Sequence, residues 1–179
     1  MTPFEKTYWN RRYANFGNSG YGSYGEQLEK KLEWLFPLDF KTVTEIGCGD
    51  FNFGSSLLKV HPAHYIGYDV SEVIVARNNE LFPEHQFIVT SEDDWLPGDL
   101  LMCVDVLFHV IDDDDCEKLL QKLEKTWIKY LVLTAYERDE KFENHVRIRK
   151  FDPSRFGEPI FREVVEEDGQ LYFYIFKKK

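Results

Sequence analysis

The sequence has too few cysteines and too little positive charge for several classes of protein. It contains three cysteines (Cys48, Cys103 and Cys116), an odd number at spacings that fit no zinc site. We therefore expect free thiols, no metal centre and a reducing, cytoplasmic compartment. Lys and Arg number 22 against 32 Asp and Glu, and the net charge of −10 disfavours nucleic acid as a partner, because phosphate binding needs a surplus of cations.

Long apolar runs are also missing. The longest, residues 100–104 and 106–108, are far shorter than the ~20 residues that cross a bilayer, and the N-terminus begins polar, which predicts a soluble protein without a secretory signal. Hydrophobic residues nevertheless make up 43% of the 179-residue chain, enough for the core of one domain. We expect residues 1–179 to form that domain, with 1–25 as an N-terminal arm or lid and 26–176 as an α/β core.

Short apolar runs alternate with segments of helical periodicity. Five runs have the character of buried parallel strands: residues 42–46, 65–68, 86–89, 100–104 and 130–134. Ser71 is expected to cap a helix, and the acids at 112–115 to open another, where the helix dipole explains them better than a metal does. Ser23 and Glu26 have the spacing of a capping box before a third helix. This alternation is typical of a doubly wound, mostly parallel α/β sheet.

The C-terminal residues predict an antiparallel end to this sheet. Asp168-Gly169 separates two strand-like segments, residues 160–165 and 171–176. Such a dipeptide favours a β-hairpin with a two-residue turn.

A glycine-rich turn follows the first predicted strand, at the sheet edge where α/β proteins bind ligands. A dinucleotide fingerprint requires a third glycine where Asn52 stands, and Asp50 would repel a pyrophosphate. A nucleoside with a cationic centre and no phosphate suits the acidic turn, and S-adenosylmethionine is such a cofactor. The turn residues expected to contact it are Glu45, Gly47, Cys48, Gly49, Asp50 and Asn52.

The next two strands each end in acidic residues. Asp69, followed by Val70, ends the second strand and is placed to accept both ribose hydroxyls. After the third strand, Asp93 or Asp94 is placed to accept from an adenine amino group, and Trp95 to cover the ring. Each feature is weak alone, since an Asp after a strand is usually a helix cap. Their order and spacing together favour a cofactor site.

These motifs, from residue 42 to residue 176, resemble those of the class I S-adenosylmethionine-dependent methyltransferases. The likeness is closest to small members that combine a Gly-Asn-Ser-Gly arm, here residues 17–20, with a Gly-Cys-Gly-Asp turn. The resemblance implies a Rossmann-like methyltransferase fold, S-adenosylmethionine as cofactor and S-adenosylhomocysteine as product. It also implies cofactor contacts by Gly47, Gly49, Asp69 and the acid after the third strand. Many members have glycine where this chain has Phe51, whose ring is then expected to line the methionine or ribose side.

Two ionisable residues, Asp105 and His109, follow the fourth predicted strand. Methyl transfer is an in-line displacement, so the protein mainly has to align the acceptor and remove its proton. His109 is suited to act as the base, with Asp105 beside it in the catalytic and cofactor pocket. In similar methyltransferases this region lines that pocket. The alternative is that Asp105 caps a turn and His109 bonds a buried carbonyl.

Two groups of residues are candidates for binding the acceptor. Tyr13 and Tyr21 lie in the N-terminal arm, where aromatic rings suit a sugar or, equally, a protein interface. His145, Arg147 and Arg149 would share one face of an extended segment and hold an acceptor carboxylate or phosphate. The alternative is a surface strand whose charges pair with neighbouring acids.

The sequence therefore predicts an S-adenosylmethionine-dependent methyltransferase that acts on a small-molecule, sugar-like or glycan acceptor, at oxygen. The second hypothesis is a module that binds S-adenosylmethionine without transferring its methyl and works with a partner protein, prompted by Phe51 and the short acceptor side. A third, an NAD-dependent oxidoreductase, is disfavoured by Asp50 and Asn52.

Overall fold

The computed structural model describes residues 3–90, 95–141, 145–166 and 170–179. Its helices are α1 (Pro3–Ala14), α2 (Gly25–Leu35), α3 (Asn52–Val60), α4 (Glu72–Leu81) and α5 (Asp113–Thr126). Its strands are β1 (Thr42–Ile46), β2 (His64–Asp69), β3 (Gln86–Val89), β4 (Leu100–Cys103), β5 (Tyr130–Tyr136), β6 (Glu140–Lys141), β7 (Arg147–Ile148), β8 (Phe161–Glu166) and β9 (Leu171–Lys177). Across these described ranges, no helix is both long and apolar enough to span a bilayer.

Seven strands form one sheet in the order β3-β2-β1-β4-β5-β9-β8. The first five run parallel, whereas β9 pairs antiparallel with both β5 and β8. The predicted fold class, a mostly parallel sheet ending in an antiparallel hairpin, is therefore confirmed. The hairpin turn Asp168-Gly169 lies outside the described residues. The chain order reverses between β1 and β4, and ligands bind at such a switch point.

Apolar layers cover both faces of this sheet. All four residues of β4 are buried, as are six of the seven in β5, and two-sided burial is what makes their sequences continuously apolar. One layer includes the buried faces of α2 and α3, and the other packs on α5. The three cysteines lie buried in these layers, with no disulfide between them.

Two of the three helix starts match their prediction. The Ser71 hydroxyl accepts from the Ile74 N–H, and the Asp112 carboxylate accepts from the Asp115 N–H. The prediction of a capping box at Ser23 is wrong, because α2 begins after Tyr24 and has no side-chain cap. Ser23 ends a short 3₁₀ turn, and its carbonyl accepts a bond from Asn52 instead.

The N-terminal arm consists of α1 and a following strap, which we define as residues 15–24. Helix α1 docks on α4: the Asn10 side-chain oxygen accepts from the Ser71 hydroxyl at 2.7 Å, and Arg77 donates to the Tyr13 carbonyl at 2.7 Å. The strap then crosses the carboxyl ends of β1 and β4, where Ser19 packs against Gly49 and Gly22 packs against Asp105. These contacts place the arm directly over the switch point.

Candidate functional site

A cleft lies at the switch point, under the arm. Its walls come from the ends of β1, β2, β3 and β4, from α1 and from Ser19 and Ser23 of the strap. The free space inside is about 60 Å³, room for roughly two water molecules. Ligand pockets typically measure about 300–1,000 Å³, so the cleft in this conformation is smaller than a nucleoside needs.

The glycine turn forms one side of this cleft. Gly47 and Gly49 have φ angles of 74° and 51°, a left-handed conformation that favours glycine. A Cβ on Gly47 would lie 2.3 Å from the Val106 Cγ2 atom, and one on Gly49 would lie 2.1 Å from the Ser19 hydroxyl oxygen. The turn thus requires glycine for both its backbone conformation and its close contacts.

Asp69 lies opposite the turn, followed by Val70 in the same wall. One Asp69 carboxylate oxygen accepts from the Gly49 N–H and the other from the Ser71 N–H, each at 2.9 Å. Burial raises the pKa of Asp69 to about 6 despite these bonds. The Thr90 hydroxyl, also in the cleft wall, is buried without a hydrogen-bond partner. An unsatisfied hydroxyl in a cleft is a site for a polar ligand atom.

Asp50 and Asn52 hold the strap rather than line the cleft. The Asp50 carboxylate accepts from the Ser19 N–H at 3.0 Å, the Ser19 hydroxyl at 2.7 Å and the Tyr24 hydroxyl at 2.5 Å. The Asn52 amide donates to the Ser23 carbonyl. Cys48 contributes its backbone to the turn, while its sulfur packs against Gly67 in the core.

Three predicted cofactor-side residues turn their side chains into the core. The Phe51 ring was expected to line the ligand; it is 1% exposed and instead packs 4.7 Å from Tyr65, between ring centroids. Its left-handed φ of 64° satisfies the turn and directs the ring inward. Trp95 is buried against Tyr68 and Lys122, and Glu45 accepts a bond from the Tyr65 hydroxyl. Asp93 and Asp94 lie outside the described residues.

Burial raises the pKa of Glu45 to about 8. Because this exceeds the unfolded value, the stability from Glu45 is complete below about pH 4.5 and is lost as the pH rises through about 8. We expect Glu45→Gln, which keeps an acceptor for Tyr65, to abolish this loss. The unfolding free energy of the wild type should fall on the order of 2 kcal/mol further than that of the variant between about pH 6 and pH 9. Parallel pH profiles in urea unfolding would show that Glu45 ionises normally.

A second, outer cavity of about 250 Å³ adjoins the cleft. Four residues line both spaces, namely Trp9, Ser19, Asp105 and His109. The outer cavity also has aromatic walls from Phe108 and Tyr136 and polar groups from Gln27 and His145. Asp105 and His109 therefore lie where the two spaces meet.

His109 is fixed by one hydrogen bond and by ring contacts. Its Nδ1 lies 3.2 Å from the His145 carbonyl oxygen, and the Trp9 ring meets its edge at 5.1 Å between centroids. Burial lowers the pKa of His109 to about 4, so the ring is neutral at pH 7. A carbonyl only accepts, so Nδ1 carries the proton and Nε2 keeps a lone pair.

The predicted acceptor residues divide between three places. Tyr13 lines the cleft, while Tyr21 and His145 line the outer cavity. Arg147 and Arg149 line a separate cavity behind Phe108 and Tyr136. Their guanidinium groups are engaged there: Arg147 pairs with Asp139, and Arg149 with Asp113 and the carbonyls of Val110 and Ile111. The structure thus brings His145 together with His109, but neither Arg147 nor Arg149.

Sequence reasoning missed Lys31. This residue of α2 is 0% exposed, and its ammonium donates to the Asp105 carboxylate at 2.5 Å. It shares the buried face of α2 with Leu28 and Leu35, three positions before and four after. A charged residue in an apolar helical stripe was therefore the available signal, because lysine is rarely buried unpaired.

No protein-family model and no curated protein matches the sequence. Solved structures do match. The N-methyltransferase NodS from Bradyrhizobium japonicum WM9, in complex with S-adenosylhomocysteine, superposes with a TM-score of 0.69 at 15% identity over 97% of this chain and 98% of that one. The magnesium protoporphyrin IX methyltransferase ChlM from Synechocystis PCC 6803, with S-adenosylhomocysteine bound, gives 0.68 at 16% identity over 97% and 96%.

The chain has the class I methyltransferase fold. An O-methyltransferase family protein from Burkholderia thailandensis also matches, with a TM-score of 0.64 at 12% identity over 86% of this chain, which spans 57% of that longer protein. The expected methyltransferase fold is thus confirmed. At these identities the likeness concerns the fold, and the three proteins are named as an N-methyltransferase, a magnesium protoporphyrin IX methyltransferase and an O-methyltransferase family protein.

Proposed function

We propose that residues 1–179 act as one S-adenosylmethionine-dependent methyltransferase domain, which methylates a small or sugar-like acceptor at oxygen. One observation carries the proposal: the glycine turn, Asp69 and His109 converge on a single cleft at the switch point of this sheet. A cavity suited to an acceptor opens directly beside it.

The residues of the cleft fit this cofactor. Gly47 and Gly49 let the backbone approach a ligand closely, and Asp69 offers carboxylate lone pairs to a ribose diol. The unpartnered Thr90 hydroxyl would gain a partner, and Val70 supplies apolar surface. S-adenosylmethionine supplies a methyl group already activated by its sulfonium. Asp93 and Asp94 stay predicted partners of the adenine.

The outer cavity suits a sugar-like acceptor. Its aromatic walls, Trp9, Phe108 and Tyr136, offer flat apolar surface to a ring, while Gln27 and His145 offer polar groups. Arg12, also in the wall, already donates to the Asn18 carbonyl at 2.6 Å. An uncharged acceptor with several hydroxyls matches this mixture.

His109 is the proposed base. Its Nε2 lone pair would take the hydroxyl proton as the acceptor oxygen bonds the methyl carbon and the carbon–sulfur bond breaks. A base with a pKa near 4 is weak, but the oxygen becomes strongly acidic as it gains the methyl group. His109 thus accepts the proton late, and the backbone bond to His145 keeps Nε2 available.

Calorimetric titration with S-adenosylhomocysteine tests the cofactor assignment. We expect the wild type to bind it and not NAD, and Asp69→Asn to bind about 10- to 100-fold more weakly through the loss of charge-assisted bonds. Because the Asp69 pKa is about 6, wild-type affinity should also fall as the pH drops below that value, whereas the variant should show no such fall. Asp39→Asn, at an exposed surface pair with Lys129, is the matched control. Equal affinities of wild type and Asp69→Asn would refute the role of Asp69.

A further inference from the structure

A completely buried lysine lies beneath the junction of the cleft and the outer cavity. The Lys31 ammonium donates to the Asp105 Oδ2 atom at 2.5 Å and to the Gly22 carbonyl at 3.0 Å. It therefore connects three elements: α2, the loop after β4 and the strap. A buried ammonium is costly unless it is paired, so each of these contacts depends on the others.

The Asp105 carboxylate is held on its other side by β5. The Thr134 hydroxyl donates to Oδ1 at 3.0 Å and accepts from the Asp105 N–H at 2.6 Å. Asp105 also has a left-handed φ of 57°, a strained conformation for a residue other than glycine. Strain of this kind persists where the surrounding structure over-determines a residue, and Asp105 lines both the cleft and the outer cavity.

The strap packs on this ion pair without a gap. A Cβ on Gly22 would lie 2.2 Å from Asp105 Oδ2 and 3.1 Å from the Lys31 nitrogen. The strap therefore contacts the Lys31–Asp105 ion pair directly, so the position of the strap depends on the pair.

We propose that Lys31 is a positioning residue, which fixes and neutralises the Asp105 carboxylate beside the cleft and latches the strap over it. This inference rests on the proposed function, because the compensated charge matters for a cationic methyl donor. An uncompensated carboxylate would attract S-adenosylmethionine, whose sulfonium is positive, more than the uncharged sulfur of S-adenosylhomocysteine. With Lys31 in place, the cleft binds donor and product without this bias.

Titrating both ligands into three variants and one control variant tests the charge balance. Lys31→Met should shift the ratio of the two dissociation constants about tenfold towards S-adenosylmethionine, and Asp105→Asn should shift it towards S-adenosylhomocysteine. The double variant should restore the wild-type ratio, and Lys30→Met, an exposed neighbour on α2, should leave it unchanged. If Lys31 and Asp105 had a purely structural role, the substitutions would weaken the binding of both ligands by the same factor, and that result would overturn the proposal. Should Lys31→Met fail to fold, Asp105→Asn and the double variant still decide it.

Hydrogen exchange of the ligand-free protein tests the latch separately. Amide protons of residues 15–24 should exchange about tenfold faster in Lys31→Met and Asp105→Asn than in Lys30→Met, while those of β4 and β5 keep their protection. Unchanged protection of the strap would refute the latch. A wild type that binds neither ligand would instead refute the proposed function, so the two failures are distinguishable.

Discussion

Gly49→Ala should weaken the binding of S-adenosylhomocysteine about 100-fold or more, the combined effect of left-handed strain and a steric clash of the new methyl group. That Cβ would lie 2.1 Å from the Ser19 hydroxyl oxygen and 2.9 Å from the Tyr13 hydroxyl oxygen. Relieving the overlap moves the strap or the turn, and the Gly49 N–H then leaves Asp69. Calorimetry on the purified variant measures the loss.

Gly157→Ala is the matched control for this substitution. Gly157 also has a positive φ, 92°, but a Cβ there meets nothing within 4 Å. The substitution Gly157→Ala therefore adds backbone strain without a steric clash. Gly157 lies in the loop before β8. The affinity of Gly157→Ala for S-adenosylhomocysteine should stay within about threefold of the wild-type affinity. Equal losses in the two variants would mean that strain alone, acting on stability, explains the effect.

His109→Gln should lower the rate of methyl transfer by about 10²–10⁴, the usual contribution of a positioned base, while leaving cofactor affinity nearly unchanged. Glutamine keeps the size and a polar end but has no basic lone pair. The rate is measured as S-adenosylhomocysteine formed from S-adenosylmethionine with a panel of hydroxylated acceptors.

His64→Gln, at an exposed position on β2, controls for the loss of any histidine. Its rate should equal that of the wild type. An unchanged rate in His109→Gln, or a rate and an affinity that fall together, would contradict the role of His109 as base.

The strands could be predicted because burial on both faces leaves a direct trace in the sequence. β1 and β3 have the predicted limits, and β5 extends two residues further, to Tyr136, where pairing with β9 continues. The glycine turn was recognisable for a similar reason, since left-handed φ angles at Gly47 and Gly49 restrict residue type. Two-sided burial and left-handed backbone angles both restrict which residues a position accepts, so both can be predicted from the sequence.

The strap contacts could not be predicted, because they join residues far apart in the chain. Ser19 bonds Asp50, 31 positions away, and Lys31 bonds Asp105, 74 positions away. Another long-range contact, from the Asn52 amide to the Ser23 carbonyl, explains why the prediction of a Ser23 capping box was wrong: tertiary bonding holds Ser23 at the end of a 3₁₀ turn, against the local capping preference.

Side-chain direction was the other unpredictable property. Phe51 occupies a ligand-side backbone position, yet its ring turns into the core, where Tyr65, Phe82 and Phe87 surround it. For Arg147 and Arg149 the structure shows the alternative interpretation, charges paired with acids, but the alternation did not identify Asp113, from a distant helix, as the partner of Arg149. Such partners become visible only in three dimensions.

A crystal structure with S-adenosylhomocysteine soaked in tests the central claim most directly. We expect the nucleoside between the Gly47–Gly49 turn and Asp69, its ribose hydroxyls on the Asp69 carboxylate, and its sulfur facing Asp105 and His109. The strap should be displaced from its ligand-free position, in which the cleft measures only about 60 Å³. Density for the ligand in any other place, or none at saturating concentration, would contradict the account.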